Sequence, residues 1–357
     1  MITAEAQIDI QALQHNFEVL QKKSANRPVI AVIKGNGYGY GAIEVANALP
    51  QASKYAVSRI EEGIELRKAG ITHPILLLEG CFCADDLATA ADLGFETLVH
   101  NPEQLAMFEQ IHLTKPIKVW LKIDTGMHRI GFAPEKIAEC VSILSQNKNV
   151  LGDVGFVSHF SCADDLNSTT TLKQLKIFSE TTAPFNGPKC LANSPGILYW
   201  PQAHFDAVRA GIALYGISPM PDKIGTDHDL TPVMTLKSKI ISVRDHKAHQ
   251  PIGYGETWFS PENTKIAVVA MGYGDGYPRV APNGTPVWIN GRLVPIVGRI
   301  SMDMLTVNLG QNAQDKVGDT VEFWGNHLPI ETIAQKIGTI PYELTIKLAP
   351  RVKRTYM

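Results

Sequence analysis

Two textures alternate along the first ~220 residues. Short apolar, mostly β-branched runs are each followed by longer stretches with apolar residues at helical spacing. The runs at 29–34, 55–58, 75–78, 97–100, 118–123, 154–159, 189–192 and 207–214 predict strands. The stretches at 42–48, 60–69, 102–110, 134–146 and 171–182 predict helices. Asn101 ahead of Pro102 reads as a helix start, an N-cap amide followed by a ring that needs no amide partner. Apolar strands flanked by amphipathic helices imply a parallel sheet covered by helices. Eight such units predict a closed (β/α)8 barrel of the TIM type. The structural alternative is an open doubly wound sheet, with fewer strands and a glycine-rich turn followed by an acidic residue about 20 positions on.

The texture changes at residues 219–231, where Pro, Gly and Asp replace apolar runs and predict a linker. Beyond it, strands are expected at 234–243, 266–271, 287–289, 294–297, 305–309 and 320–324, with 331–337 as the only helix. Asn283-Gly284 and Asn290-Gly291 predict hairpin turns. The expected division is an α/β barrel domain over residues 1–225 and a mostly β C-terminal domain over 226–357, with residues 1–10 pairing with the latter.

Charge and composition narrow the function classes. Thirty-three basic residues nearly cancel thirty-five acidic ones, so no field is present to hold nucleic acid or an anionic membrane. The apolar runs are too short to span a bilayer, and the first residues lack a basic segment followed by an apolar one. Five cysteines at irregular spacing form no disulfide framework, and Cys81-x-Cys83 has no second ligand pair for zinc. A cytoplasmic protein without a metal is expected.

Four segments carry candidate chemistry. Lys34 ends an apolar strand just ahead of glycines at 35, 37, 39 and 41. At a barrel rim such a lysine is partly desolvated, which lowers its proton affinity and makes a Schiff base with an aldehyde feasible. The glycines follow the lysine, the reverse of a Walker loop. Tyr273, set among Gly272, Gly274 and Gly276 at another strand end, presents a phenol able to act as acid or base if cations stabilise the phenolate. His159 and Arg209 lie inside apolar strand-like runs, where burial demands partners. Lys122, Asp124 and Arg129 gather in a strand end running into a glycine loop, as a charged substrate would require. Taken singly, each segment also suits a plain structural role: a solvated loop lysine, an aromatic anchor in a turn, a satisfied core histidine, a surface loop.

Taken together, the segments resemble the alanine racemase family of fold-type III pyridoxal-phosphate enzymes. The resemblance rests on six motifs in that family's order: Lys34-Gly-Asn-Gly-Tyr38-Gly, Lys122-Ile-Asp-Thr-Gly-Met-His-Arg129, Ala192-Asn193-Ser194, Arg209-Ala-Gly211-Ile212-Ala-Leu-Tyr-Gly216, Gly272-Tyr273-Gly-Asp-Gly276 and Gly298-Arg299-Ile-Ser-Met302-Asp303. It implies an alanine racemase activity using pyridoxal 5′-phosphate in a two-base mechanism, and a homodimer whose active sites draw on both subunits. Lys34 would carry the cofactor and serve as base for the D-enantiomer; Tyr273, from the partner subunit, would serve the L-enantiomer. Arg209 would face the pyridine nitrogen, with His159 bonded to it. Tyr38, Asn193, Ser194, Gly211 and Ile212 would hold the cofactor, its phosphate in particular. Arg129 and the backbone at Met302 would hold the substrate carboxylate, and Lys122 sits where some members carry a carbamylated lysine. The sequence departs from the family at Tyr40, often histidine, at Ser301, cysteine in some members, and at Pro350, where many members place a phosphate-binding tyrosine.

Arg209 argues against the nearest rival, a basic amino-acid decarboxylase, which places a glutamate at the pyridine nitrogen. The second domain argues against a single-domain pyridoxal-phosphate carrier. A racemase of serine, lysine or a broader range stays open, because a small pocket rejects one added hydroxyl poorly. D-Alanine for peptidoglycan and alanine catabolism are both compatible roles.

Overall fold

The first strand of the computed structural model, which describes residues 4–357, is β1 (Glu5–Ile8); it belongs to the second of two sheets. The first sheet is built from β2 (Val29–Val32), β3 (Lys54–Val57), β4 (Ile75–Leu77), β5 (Phe95–Val99), β6 (Lys118–Lys122), β7 (Gly155–Val157), β8 (Lys189–Cys190) and β9 (Val208–Ala210). All eight run parallel, and β9 pairs with β2. A parallel bridge between Cys190 and Ala207 completes the ring. This is the (β/α)8 barrel that the alternating textures imply.

The strands are short and almost wholly buried on both faces, as the absence of polar alternation requires. Gly155 shows how tightly they pack, since a Cβ there would lie 2.5 Å from the Trp120 ring. Helices Ile10–Lys23, Ala42–Ala48, Ile60–Lys68, Ala84–Asp92, Pro102–Gln110, Ile137–Ser145 and Thr170–Thr182 separate the strands. Asn101 does cap its helix, its Oδ1 accepting from Gln104 N at 2.7 Å.

The second sheet is a separate ring. It comprises β10 (Met234–His246), β11 (Thr264–Val269), β12 (Pro286–Ile289), β13 (Arg292–Val297), β14 (Leu305–Asn308), β15 (Thr320–Trp324) and β16 (Lys353–Tyr356). Six of these close on themselves in the order β10-β11-β14-β13-β12-β15, every pair antiparallel. β10 spans thirteen residues and pairs with β15 over Leu236–Lys239 and with β11 over Ile240–His246, a change of partner that lets one strand close the ring; a register shift follows between Ile240 and Ser242. β1 extends this sheet, antiparallel to β10 and parallel to β16.

By compactness the chain forms two units. One is Asn16–Leu214 with Pro219–Asp222; the other takes the segment ending at His15, Tyr215–Ser218 and Lys223–Met357.

Several expectations need correction. The run at 207–214 is a strand only over Val208–Ala210; Ile212–Tyr215 turns into a 3-10 helix immediately after Gly211. The run at 189–192 pairs only at Lys189–Cys190. The linker contains a 3-10 turn, Gly225–His228, whose Gly225 amide is held by Glu331 at 3.0 Å. Asn290-Gly291 joins β12 to β13, both residues at positive φ, as a two-residue hairpin demands. Asn283-Gly284 joins no paired strands; its Asn283 Oδ1 instead accepts from Gly298 N at 2.7 Å, beyond the end of β13. A second helix, Pro341–Ile346, follows Ile330–Ile337 in the β-rich unit, where one was expected.

Candidate active site

Lys34 stands directly beyond β2, at the C-terminal rim of the barrel, and opens a turn of left-handed helix. Gly35, Asn36, Gly37, Tyr38 and Gly39 have φ of 61°, 53°, 62°, 55° and 89°. That hand costs an ordinary L-residue about 1–2 kcal/mol but costs glycine nothing comparable, which accounts for a glycine at every second position. Asn36 and Tyr38 are compensated locally. Asn36 Oδ1 accepts from Ala42 N at 2.9 Å, Gly41 N donates to Asn36 O at 2.9 Å, and the Tyr38 ring is buried. Burial, and then the nearby Arg129, push the Lys34 amine below its ordinary value, while Glu79 and Glu62 pull the other way. A neutral amine is the form that attacks a carbonyl.

Arg209, on β9, is buried among backbone acceptors. Nη1 donates to Cys190 O at 2.9 Å, and Nη2 to Ser158 O at 2.6 Å and Leu191 O at 3.3 Å. His159 Nδ1 lies 3.3 Å from Nη2. A guanidinium only donates, so Nδ1 accepts and His159 carries its proton on Nε2. Burial first, then Arg209, Lys122 and Arg129, hold the His159 imidazole well below its ordinary value, so it stays neutral. Every one of these bonds leaves from Nη1 or Nη2; among the described residues the Arg209 Nε–H donates to no protein group.

Lys122, at the end of β6, is buried beside Arg209 and Arg129, and burial pushes its amine well down. A cavity of about 10 Å³, room for one water, lies against Lys122, Asp124, Arg129, Ser158 and His159. Asp124 shapes the loop that carries Arg129, accepting the amides of Gly126, Met127 and His128 at 2.9–3.1 Å. Burial opposes its ionisation, but those amides and His128 outweigh burial and leave its carboxyl below its usual range.

Two hydroxyls converge over Gly211. A Cβ built there would stand 3.0 Å from Tyr38 Oη and 3.8 Å from Ser194 Oγ. Ser194 Oγ accepts from Gly211 N at 3.0 Å and Ala213 N at 3.3 Å, next to the fully buried Ile212. Asn193 caps the following short helix through Gly196 N at 3.1 Å.

The barrel unit therefore brings together Lys34, Tyr38, Lys122, Arg129, His159, Asn193, Ser194, Arg209, Gly211 and Ile212. Tyr273 and Met302 belong to the β-rich unit and lie beside each other. Tyr273 N donates to Ser301 O at 3.1 Å and Gly274 N to Met302 O at 2.8 Å, and both side chains are exposed. Arg351 locks this corner, pairing with Asp275 at 2.7 Å and Asp303 at 2.8 Å.

Sequence reading overlooked Gln174, whose buried amide donates to His159 O at 3.0 Å and accepts from Ser161 N at 2.9 Å. It had no signal, being one polar residue in an amphipathic helix. Glu62 was overlooked too: the residue three before it, where a capping box places serine or threonine, is Arg59, so no such signal was present.

No helix long and apolar enough to cross a membrane, and no cluster of metal-ligating side chains, is found among the described residues. Known proteins match over both units. The model of the alanine racemase N-terminal domain matches residues 8–219, and that of the C-terminal domain residues 233–356. The alanine racemase of Aeromonas hydrophila is 50% identical over 357 residues, covering all of both chains. That of Shewanella putrefaciens is 51% identical over 347 residues, 97% of each. Among solved structures, the biosynthetic alanine racemase of Pseudomonas aeruginosa superposes with a TM-score of 0.96 at 40% identity over all of both chains. The alanine racemase of Bartonella henselae, solved with covalently bound pyridoxal phosphate, gives 0.89 at 30% identity over 99% of each. With a desolvated lysine on a barrel strand end and matches spanning both units, the chain belongs to the alanine racemase family of pyridoxal-phosphate-dependent isomerases.

Proposed function

We propose that this protein interconverts L- and D-alanine, with pyridoxal 5′-phosphate on Lys34 and with Lys34 and Tyr273 as the two bases. The carrying observation is the pairing of a desolvated lysine amine with a buried arginine in one barrel rim.

The residues present fit the cofactor. The Lys34 amine suits its aldehyde. The unengaged Nε–H of Arg209 is a donor for a pyridine nitrogen, and the glycine at 211 leaves open a space faced by Tyr38 Oη and Ser194 Oγ, suited to a phosphate. Asn193 and Ile212 complete that cradle. When bound, the cofactor acidifies the α-C–H by drawing off its electrons. Lys34 Nζ then takes or returns the α-proton on one face, serving the D-enantiomer, and Tyr273 Oη does so on the other, serving the L-enantiomer. Arg129 and the backbone at Met302 hold the substrate carboxylate. Arg209 cannot accept a proton, so a pyridine nitrogen held against it would stay unprotonated, which would restrain transamination. His159 stays neutral and steadies Arg209. Lys122, a buried amine whose proton affinity burial lowers, is a candidate for carbamylation, the resulting anion answering Arg129.

The working form is a homodimer in the cytoplasm, with Tyr273 supplied across the interface; its two domains divide near residue 225, with β1 joining the C-terminal one. The test is an absorption spectrum of wild type and Lys34→Ala, paired with circular dichroism of L-alanine incubated with each. Wild type should show the band of a lysine-bound cofactor and drive the alanine signal to zero; the variant should do neither. A band with unchanged alanine rotation would redirect the substrate to serine or lysine. No band after adding cofactor would overturn the reading.

A further inference from the structure

Glu62 connects two turns of opposite hand. It is the third residue of the helix Ile60–Lys68, and its Oε2 accepts from Ser58 N at 2.9 Å and Arg59 N at 3.1 Å. Those bonds satisfy amides at the helix start and fix the plane of the carboxylate. Oε1 accepts from Gly35 N at 2.6 Å. Gly35 is the residue after Lys34. A helical turn of either hand leaves its first amides without internal partners, and the ladder of this one begins only where Gly37 N donates to Ile33 O at 2.8 Å.

We propose that Glu62 is a positioning residue for Lys34, one carboxylate capping both the barrel helix and the left-handed turn that bears the lysine. The proposal rests on Lys34 being the cofactor-bearing residue. Three backbone amides, each a charge-assisted bond, hold Glu62 in place. Those bonds fix its carboxylate against the residue next to Lys34. The charged groups around the Lys34 amine are Arg129 and Arg209 on one side of the balance and Glu79 and Glu62 on the other. Glu79 is partly exposed and pairs loosely with Arg59 at 3.8 Å. Glu62 is thus the anchored counterweight to burial and the two arginines, and it favours the protonated amine. A glutamine keeps one carbonyl oxygen and cannot cap both turns.

The experiment compares the full-length wild type, Glu62→Gln and, as control, the exposed Glu61→Gln. Amide hydrogen exchange is followed across residues 34–38. Acylation of Lys34 is followed against pH in protein stripped of cofactor, and kcat/KM is measured in the holoenzyme. Glu62→Gln should speed exchange at Gly35 about tenfold, shift the acylation curve to lower pH, and lower kcat/KM on the order of tenfold. Glu61→Gln should change none of these. A merely structural role would lower the melting temperature without moving the acylation curve, and that result overturns the proposal. So does fast exchange at Gly35 in wild type, a measurement that holds even if the variant does not fold. If borohydride fails to fix added pyridoxal phosphate on wild-type Lys34, the lysine assignment fails instead, while the exchange result still reports on Glu62 and Gly35.

Discussion

Burial and arginines lower the proton affinity of both His159 and Lys34, yet only the imidazole bears on acid stability near neutrality. The imidazole has an ordinary value of 6.5 and a folded value well below it. As pH falls through about 6.5, the unfolded chain takes up a proton and the folded chain does not, so stability declines toward acid. His204, also lowered mainly by burial, adds to the trend. The melting temperature should therefore drop between pH 7.5 and 5, and less steeply in His159→Gln, whose amide oxygen can still accept from Arg209. Equal slopes would mean that His159 is protonated in the folded protein. Arg209 carries a different prediction. Arg209→Glu places a group able to share a proton where none can be shared now, and pyruvate formation from alanine should rise. A folded variant with no such rise would contradict the restraint assigned to the guanidinium.

At the scale of elements, the left-handed turn decides where the lysine stands. Gly37→Ala puts a β-carbon on a residue with φ of 62°, within 3.1 Å of Ala42 N and 3.2 Å of Ala42 Cα. The wrong hand alone costs about 1–2 kcal/mol, and the contact is with backbone, which cannot swing aside. Chemical denaturation should show a loss of at least that order, with slower capture of pyridoxal phosphate by Lys34. A neutral substitution would mean that the turn rearranges readily and does not position the amine. Gly211→Ala tests the other wall. Its β-carbon would meet Tyr38 Oη at 3.0 Å and occupy the cradle, so the variant should bind cofactor about tenfold or more weakly, read by titrating the absorption band, with little change in fold.

For the whole molecule, the expected partition of the two bases between subunits gives a direct test. Lys34→Ala and Tyr273→Phe should each be inactive alone. If sites are shared across a two-fold dimer, a co-expressed equal mixture forms hybrids with one intact site each, and activity returns to about a quarter of wild type. No recovery would place both bases in one subunit or exclude the dimer.

The sequence by itself determined the periodicities and the residue chemistry. Apolar runs spaced along the first ~220 residues dictated a helix-covered parallel barrel, because strands buried on both faces admit no polar alternation. Lys34 ahead of alternating glycines, and His159 and Arg209 inside apolar runs, were legible because each residue type contradicts its surroundings. What only the tertiary structure decided were the geometries that several distant segments fix jointly. The glycines read as a loop and proved to be a left-handed turn, whose cap, Glu62, comes from the next β–α unit. β9 stops at Ala210 because the chain must turn at Gly211 beneath Tyr38 and Ser194, which lie far off in sequence. The six-stranded closure depends on one long strand changing partners between Lys239 and Ile240. Local pattern reports which face of a segment is buried; it does not report which distant backbone donates the hydrogen bond that sets its end.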